Sequence, residues 1–259
     1  MKFQLSQPYL LLPLVLLGLL GGISGGWIRL GSPMIPVASA GLNHGLLMVG
    51  GFLGTLISLE RAMVLKKKIW LAIPFLTGLS LFFFLAGMIQ IGFYFLLAGS
   101  LGLGIIMHLQ SVKKPYLHTY LLYAGAMFWF IGNFITWRSG LVAAGTTLWM
   151  GFLLFTIVGE RLELSQYLPV VPWAKNALSL HLVLVFIGLL VPFHTWGNEL
   201  LGIGILLIAA WLWVFDIAKV LVKKKRSVSI FGYWIEDWIS LAWYAGDHFS
   251  CFGKPSSIL

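Results

Sequence analysis

The chain has 259 residues, of which 59% are hydrophobic and 10% are charged. A water-soluble domain needs about 25% charged residues to cover its surface, so this composition excludes a soluble globular protein and predicts an all-α integral membrane protein. The single cysteine excludes an intrachain disulfide bond and any multi-cysteine metal or iron–sulfur site.

Apolar stretches close to the ~20 residues that cross a bilayer recur along the sequence. They predict eight transmembrane helices, at about 8–28, 42–60, 69–89, 91–110, 116–137, 141–160, 177–193 and 198–222.

The formal net charge of +9 follows a topological pattern. Basic residues cluster in the even-numbered loops, whereas Arg29 and Arg138 are the two at the odd-numbered ends. By the positive-inside rule, this asymmetry predicts a plasma-membrane or inner-membrane protein with its N-terminus and even-numbered loops in the cytoplasm. Anionic lipid headgroups then account for the basic charge, so the lipid bilayer is the predicted partner and no nucleic acid is implied. A membrane protein of this class can also have a protein partner in the membrane, which is either another membrane protein or a second copy of the chain.

Two stretches 100 residues apart resemble each other, GLLMVGGFLGTLISLER (45–61) and GTTLWMGFLLFTIVGER (145–161). They are identical at seven of 17 positions without a gap, including a Gly-Phe-Leu and a closing Glu-Arg. Basic runs also follow the fourth and eighth predicted helices. This pattern predicts two parallel four-helix units, 1–112 and 113–226.

The last segment, 227–259, is aromatic and polar. Glu236 and Asp237 lie in the middle of what would be a ninth span, where each costs roughly 2.5–3.5 kcal/mol on insertion scales. One interpretation is a short interfacial segment. The other, which we favour, is the remnant of a third unit of a twelve-helix architecture, and on that basis the chain could also be a truncated, non-functional product.

Three histidines are candidate cofactor ligands. His44 is predicted one turn inside the outer end of the second span, whereas His118 and His181 are predicted near the cytoplasmic ends of the fifth and seventh. His118 and His181 could ligate a haem between two helices, or they could be interfacial histidines bonded to water or loop carbonyls. His44 could be a haem ligand or could bond a neighbouring helix. The glycines that follow it would let either a macrocycle or a helix approach.

The two Glu-Arg pairs, Glu60-Arg61 and Glu160-Arg161, end the repeated stretches. Adjacent residues on a helix do not face one another, so pseudo-symmetry predicts that Glu60 pairs with Arg161 and Glu160 with Arg61. The pairs are either a structural clamp or a path for a proton or substrate, because ionisable groups at membrane depth often mark pathways. Asn133 is predicted to join helices through its amide.

The stretch HGLLMVGGFLG (44–54) resembles the second helix of subunit I of the haem-copper oxidases, and is similar to histidine-bearing helices of the NnrS-type membrane proteins. The oxidases have about twelve helices in three pseudo-repeated sets of four. The resemblance covers the first eight helices by topology and one short motif by sequence. It implies that His44 is an axial haem ligand whose opposing histidine belongs to a tenth helix. The stretch TLWMGFLLFTIVGER (147–161) contains none of the histidines that ligate copper in the oxidases, so oxygen or nitric oxide reduction is not expected.

The leading hypothesis is therefore a haem-binding membrane protein without catalytic copper. The second is a transporter or permease of a small molecule that uses the Glu-Arg pairs. The sequence contains no nucleotide-binding loop and no Ser/His/Asp arrangement, so a hydrolase or an ATPase has no support and the balance is against an enzyme.

Overall fold

The computed structural model describes residues 8–31, 38–65, 67–165, 171–191 and 193–215. In these ranges the regular secondary structure is entirely helical, without strands. Long helices are labelled in chain order as α1 Leu12–Arg29, α2 Leu46–Val64, α3 Ala72–Leu85, α4 Ile89–Lys113, α5 Leu117–Ser139, α6 Val142–Ser165, α7 Pro172–Leu190 and α8 Asn198–Phe215. Short helical turns precede several of them, at Pro8–Leu11, Ala38–Leu42, Lys68–Leu71 and Phe193–Gly197.

Seven of the helical segments in the described ranges are long and apolar enough to cross a membrane, judged by length and composition. The long helix outside this set is α5, which has 23 residues but carries polar and charged side chains such as His118, Asn133 and Arg138. Each predicted span overlaps a long helix, and residues 216–222 of the eighth span lie outside the described residues. The all-helical fold predicted from composition is therefore confirmed for the described residues, and their apolar helices agree with a multi-pass membrane protein.

Helix α2 has two different windings. Leu46–Gly54 has the wide i→i+5 hydrogen bonding of a π-helix, and Thr55–Val64 is regular α-helix. The wide part carries glycines on several sides, and each is covered by a different helix. The backbone of Gly18 on α1 reaches Gly51, the side chain of Leu96 on α4 reaches Gly50, and the ring of Trp129 on α5 covers Gly54. Leu81 on α3 also reaches Gly51, so helix α2 is packed between α1, α3, α4 and α5.

The helices alternate in direction, so their ends meet in two groups. At one end Arg29 Nε donates to the Gly41 carbonyl at 2.7 Å and Asn43 Nδ2 donates to the Phe84 carbonyl at 3.2 Å. At the other end Gln110 Nε2 donates to the Arg61 carbonyl at 3.2 Å. We call the first group of helix ends the cavity end and the second the charged end.

The helices of the two predicted units pack differently. Helices α1 to α4 close around one another, whereas α5 pairs tightly with α6, and α7 and α8 form a hairpin in which Trp211 Nε1 donates to the Ala174 carbonyl at 2.7 Å. The duplication into 1–112 and 113–226 stays a prediction from sequence. The predicted tail, 227–259, lies outside the described residues.

Candidate functional site

Arg61 is the centre of an ion-pair cluster at the charged end. Its Nη1 donates to Glu163 Oε2 at 2.8 Å and its Nη2 donates to Glu160 Oε1 at 3.0 Å, while Glu60 Oε1 lies 3.5 Å from Nη2. The Arg61 side chain is only 4% exposed, whereas the three glutamate side chains are 33 to 51% exposed. Three carboxylates thus surround one buried guanidinium, and two of them join α2 to α6.

This cluster agrees with part of the pairing predicted from pseudo-symmetry. The contact between Arg61 and Glu160 is present. Glu60 contacts Arg61 of its own helix, because a long arginine side chain can bend back towards its neighbour. The predicted pairing of Glu60 with Arg161 stays a prediction. Glu163 was missed, although it lies three residues after Glu160 and therefore on the same face of α6.

A row of buried polar groups continues from the cluster into the bundle, between α2, α5 and α6. We call it the polar seam, and it consists of Ser58, Trp129, Asn133 and Thr156, whose residues are at most 3% exposed. The Trp129 ring lies over Gly54. Ser58 and Arg61 follow Gly54 by four and seven residues, so all three share one face of α2.

Helices α5 and α6 supply the other two sides of the polar seam. Thr156, Glu160 and Glu163 are spaced by four and three residues, so they share one face of α6. A methyl group added at Gly125 on α5 would lie 3.3 Å from Thr156 Oγ1, which places Thr156 against α5 one turn before Trp129. The seam therefore leads along α6 directly to the carboxylates that bind Arg61.

The polar seam is only partly hydrogen-bonded. Asn133 Oδ1 accepts from Trp149 Nε1 at 2.9 Å, which joins α5 to α6 as predicted for this amide. Ser58 Oγ, Trp129 Nε1, Asn133 Nδ2 and Thr156 Oγ1 are buried and have no hydrogen-bond partner among the described residues. Each unpaired buried group costs about 1–3 kcal/mol, so four of them in one row require a physical reason.

A cavity of about 390 Å³ opens at the cavity end. Gly87 and Gly140, both with positive φ, turn the chain into α4 and α6 at its edge. The lining side chains are neutral: Ser39, Leu42, Asn43, Leu46, Ile89, Gln90, Phe93, Thr136, Trp137 and Val142. Thr136 follows Asn133 by three residues on α5, so the polar seam begins at this cavity and ends at Arg61.

His44 is half-buried near the start of α2 and bonds α1. Its Nδ1 lies 2.8 Å from the Gly22 carbonyl oxygen. A carbonyl only accepts, so Nδ1 carries the proton and Nε2 carries the lone pair. His44 thus bonds a neighbouring helix, which was one of the two alternatives predicted for it.

The glycines after His44 are accounted for by helix packing. Side chains of Leu96, Leu81 and Trp129 and the backbone of Gly18 occupy the space beside Gly50, Gly51 and Gly54. Helix packing therefore fills the space beside the glycine row, and in this stretch the His44 imidazole is the group that fits a cofactor ligand.

The structure does not bring His118 and His181 to one level. His118 is buried in the first turn of α5 and stacks on Tyr116 at a centroid distance of 5.5 Å. His181 lies within α7, with Nδ1 buried and unpaired among the described residues. The rings of Phe128 on α5 and Phe186 on α7 are 5.8 Å apart, so these two residues mark the same height in the bundle. At 1.5 Å per residue, His118 lies about 15 Å and His181 about 7.5 Å from that level.

In the part of the chain that the structure describes, no group of three or more His, Cys, Asp or Glu side chains could hold a metal ion. A family model for a domain of unknown function, DUF8744, matches residues 8–232. No curated protein and no solved structure matches the chain.

Proposed function

The chain belongs to the DUF8744 family, and we propose that it is a multi-pass membrane permease for a small, uncharged polar solute. The observation that carries the proposal is the polar route through the helices, from the cavity through the polar seam to the Arg61 cluster. Polar groups inside a membrane helix bundle are expensive and mark the paths of substrates and ions. The route therefore favours transport over a purely structural role.

The cavity lining supports the class of solute. Amides at Asn43 and Gln90 and hydroxyls at Ser39 and Thr136 can exchange hydrogen bonds with a polar solute, and Trp137 gives it an aromatic wall. No charged side chain lines the cavity, so a charged solute would lose its hydration without a counter-charge. The volume lies within the roughly 300–1,000 Å³ of small-molecule sites.

The Arg61 cluster supplies the gate of this permease. Its ion pairs with Glu160 and Glu163 join α2 to α6 at the charged end. Because the two carboxylates are partly exposed, water can replace the guanidinium as their hydrogen-bond partner. Opening the charged end requires these pairs to separate. We place the charged end in the cytoplasm, because Lys68, Lys113 and Lys114 lie at that end and the positive-inside rule applies to them.

Reconstituted proteoliposomes test the permease. Stopped-flow light scattering after an osmotic step measures entry of uncharged probes (urea, glycerol and acetamide) and of sodium chloride. We expect protein-dependent entry of uncharged probes only. Asn43→Leu in the cavity should abolish it, and Glu160→Gln, which removes one of the pairs that close the gate, should increase its rate. Thr77→Val should change neither, because Thr77 lies on α3 away from the route and bonds Pro74. Folded protein that admits none of the probes would refute the proposal.

A second candidate function, haem binding at His44, is favoured by one observation. The bond from Nδ1–H to the Gly22 carbonyl fixes the ring and leaves the Nε2 lone pair, as in metal-bound histidines. A haem held there would supply one-electron redox chemistry. The test is the absorption spectrum of protein purified from haem-replete cells. A Soret band should disappear in His44→Ala and persist in His108→Ala, since His108 is exposed on α4. No band, or one that His44→Ala leaves unchanged, excludes this role.

A further inference from the structure

We propose that the polar seam is hydrated and conducts protons between the cavity and the carboxylates of Glu160 and Glu163. This inference concerns a different permeant from the solute of the proposed permease. It starts from the four buried polar groups that have no hydrogen-bond partner among the described residues. Single water molecules between them would satisfy these groups, because a buried water needs only two to four polar partners.

The unpaired groups lie in an order that a file of water can follow. Asn133 is one turn from Thr136, which lines the cavity, and Trp129 is one further turn along α5. Thr156 lies against α5 beside Gly125, and Ser58 and Arg61 continue the same face of α2. Neighbouring members on the same helix are thus about one helical turn apart, or roughly 5 to 6 Å, which is the span of one bridging water.

With the Arg61 pairs formed, the dimensions of the polar seam favour protons over a solute, which can pass only when α2 and α6 separate. The Trp129 ring stacks on Phe152 at a centroid distance of 5.0 Å with an interplanar angle of 12°, and its six-membered ring also lies against Gly54. Side chains packed this closely leave space for single waters at most. A proton crosses such a file by successive transfers between neighbouring waters, so no solute-sized opening is needed.

The carboxylates at the end of the polar seam can take the proton. A hydronium at the last water gives its proton to an oxygen of Glu160 or Glu163, which converts the carboxylate to the neutral acid and leaves water. Release of that proton to water at the charged end restores the carboxylate. Arg61 stays paired throughout, because three carboxylates surround it and two remain charged.

Proton flux can be measured without any solute. Proteoliposomes loaded with the pH dye pyranine receive a potassium diffusion potential through valinomycin, and the internal pH is followed. We expect a protein-dependent flux that falls at least tenfold in a Ser58→Ala, Thr156→Val double variant, which removes two hydroxyl groups of the seam and keeps the shape. A Thr77→Val, Ser80→Ala double variant is the matched control, because both residues are equally buried but lie on α3 and donate to carbonyl oxygens of their own helix.

Hydrogen–deuterium exchange of tryptophan indoles gives a second measurement that is independent of transport. In nanodiscs with ¹⁵N-tryptophan, the Trp129 indole should exchange at least tenfold faster than that of Trp211, which is buried and bonded to Ala174. The indole signal that is missing from the spectrum of the Trp129→Phe variant is assigned to Trp129.

Three flux results would each overturn the proton path: flux equal to that of empty liposomes, flux unchanged by the Ser58→Ala, Thr156→Val variant, or an equal loss in the Thr77→Val, Ser80→Ala control. A Trp129 indole that exchanges as slowly as that of Trp211 would also overturn it. Loss of solute entry with intact proton flux refutes the permease alone, and the reverse result refutes the proton path alone.

Discussion

Removing the carboxylates around Arg61 one at a time and then together should give strongly non-additive losses of stability. The variants are Glu160→Gln, Glu163→Gln and the double variant. In either single variant, the buried guanidinium keeps one close carboxylate, at 2.8 or 3.0 Å. In the double variant, only Glu60 is left, at 3.5 Å and with a side chain that is 51% exposed.

The magnitudes follow from the exposure of the partners. Glu160 and Glu163 are 33% and 41% exposed, so water screens each pair, and each single variant should cost about 1 kcal/mol. The Arg61 side chain is only 4% exposed, and breaking the pairing of a buried charge costs about 3–5 kcal/mol. The double variant should therefore cost at least 1 kcal/mol more than the two single variants together.

The assay is equilibrium unfolding of the purified protein in detergent micelles, followed by tryptophan fluorescence. Glu199→Gln is the control, because Glu199 is exposed at the start of α8 and should change the unfolding free energy by less than 0.5 kcal/mol, as is usual for surface sites. If the losses are additive, or if Glu60→Gln costs as much as Glu163→Gln, then Arg61 does not depend on the two carboxylates of α6 as the geometry requires.

Two further predictions concern packing and topology. Gly54→Ala should lower the free energy of unfolding by about 1–3 kcal/mol, because the added methyl group overlaps the Trp129 ring. Trp129→Leu in the same chain should recover part of this loss. Equal losses with and without the Trp129 change would contradict this contact. The topology can be tested in a Cys251→Ser background with a membrane-impermeant maleimide added to intact cells. The reagent should label Gly140→Cys at the cavity end and should not label Lys114→Cys at the charged end. Labelling of Lys114→Cys would reverse the proposed orientation.

The helices could be predicted from sequence because apolar length is a local property. Each predicted span overlaps a helix, and the boundaries differ by a few residues where polar ends continue the helix. Helix α6, for example, runs to Ser165, beyond the predicted end at residue 160, because Glu160 and Glu163 find partners there. Composition could not indicate the wide winding of Leu46–Gly54, which depends on how four other helices pack around its glycines.

The candidate site was only partly visible in the sequence. The Glu-Arg repeat indicated Arg61 and Glu160, since a rare pair at matching positions is a strong local signal. Ser58, Trp129 and Thr156 gave no such signal, because a serine, a tryptophan or a threonine in an apolar helix is common. Their role depends on three helices meeting along one line, which no window of sequence contains. The cavity was missed for the same reason, as its lining comes from the ends of several helices.

The stretch 45–61 shows how one helix can serve packing and chemistry on different turns. Its first half is filled with glycines that let other helices approach, and His44, just before it, bonds the backbone of α1. Its second half places Ser58 and Arg61 on the face that looks towards α5 and α6. A single face of α2 therefore runs from tight contact at Gly54 to the ion pairs at Arg61. A movement that separates α2 from α6 would break those pairs and widen the polar seam together, which couples the gate to the path that it closes.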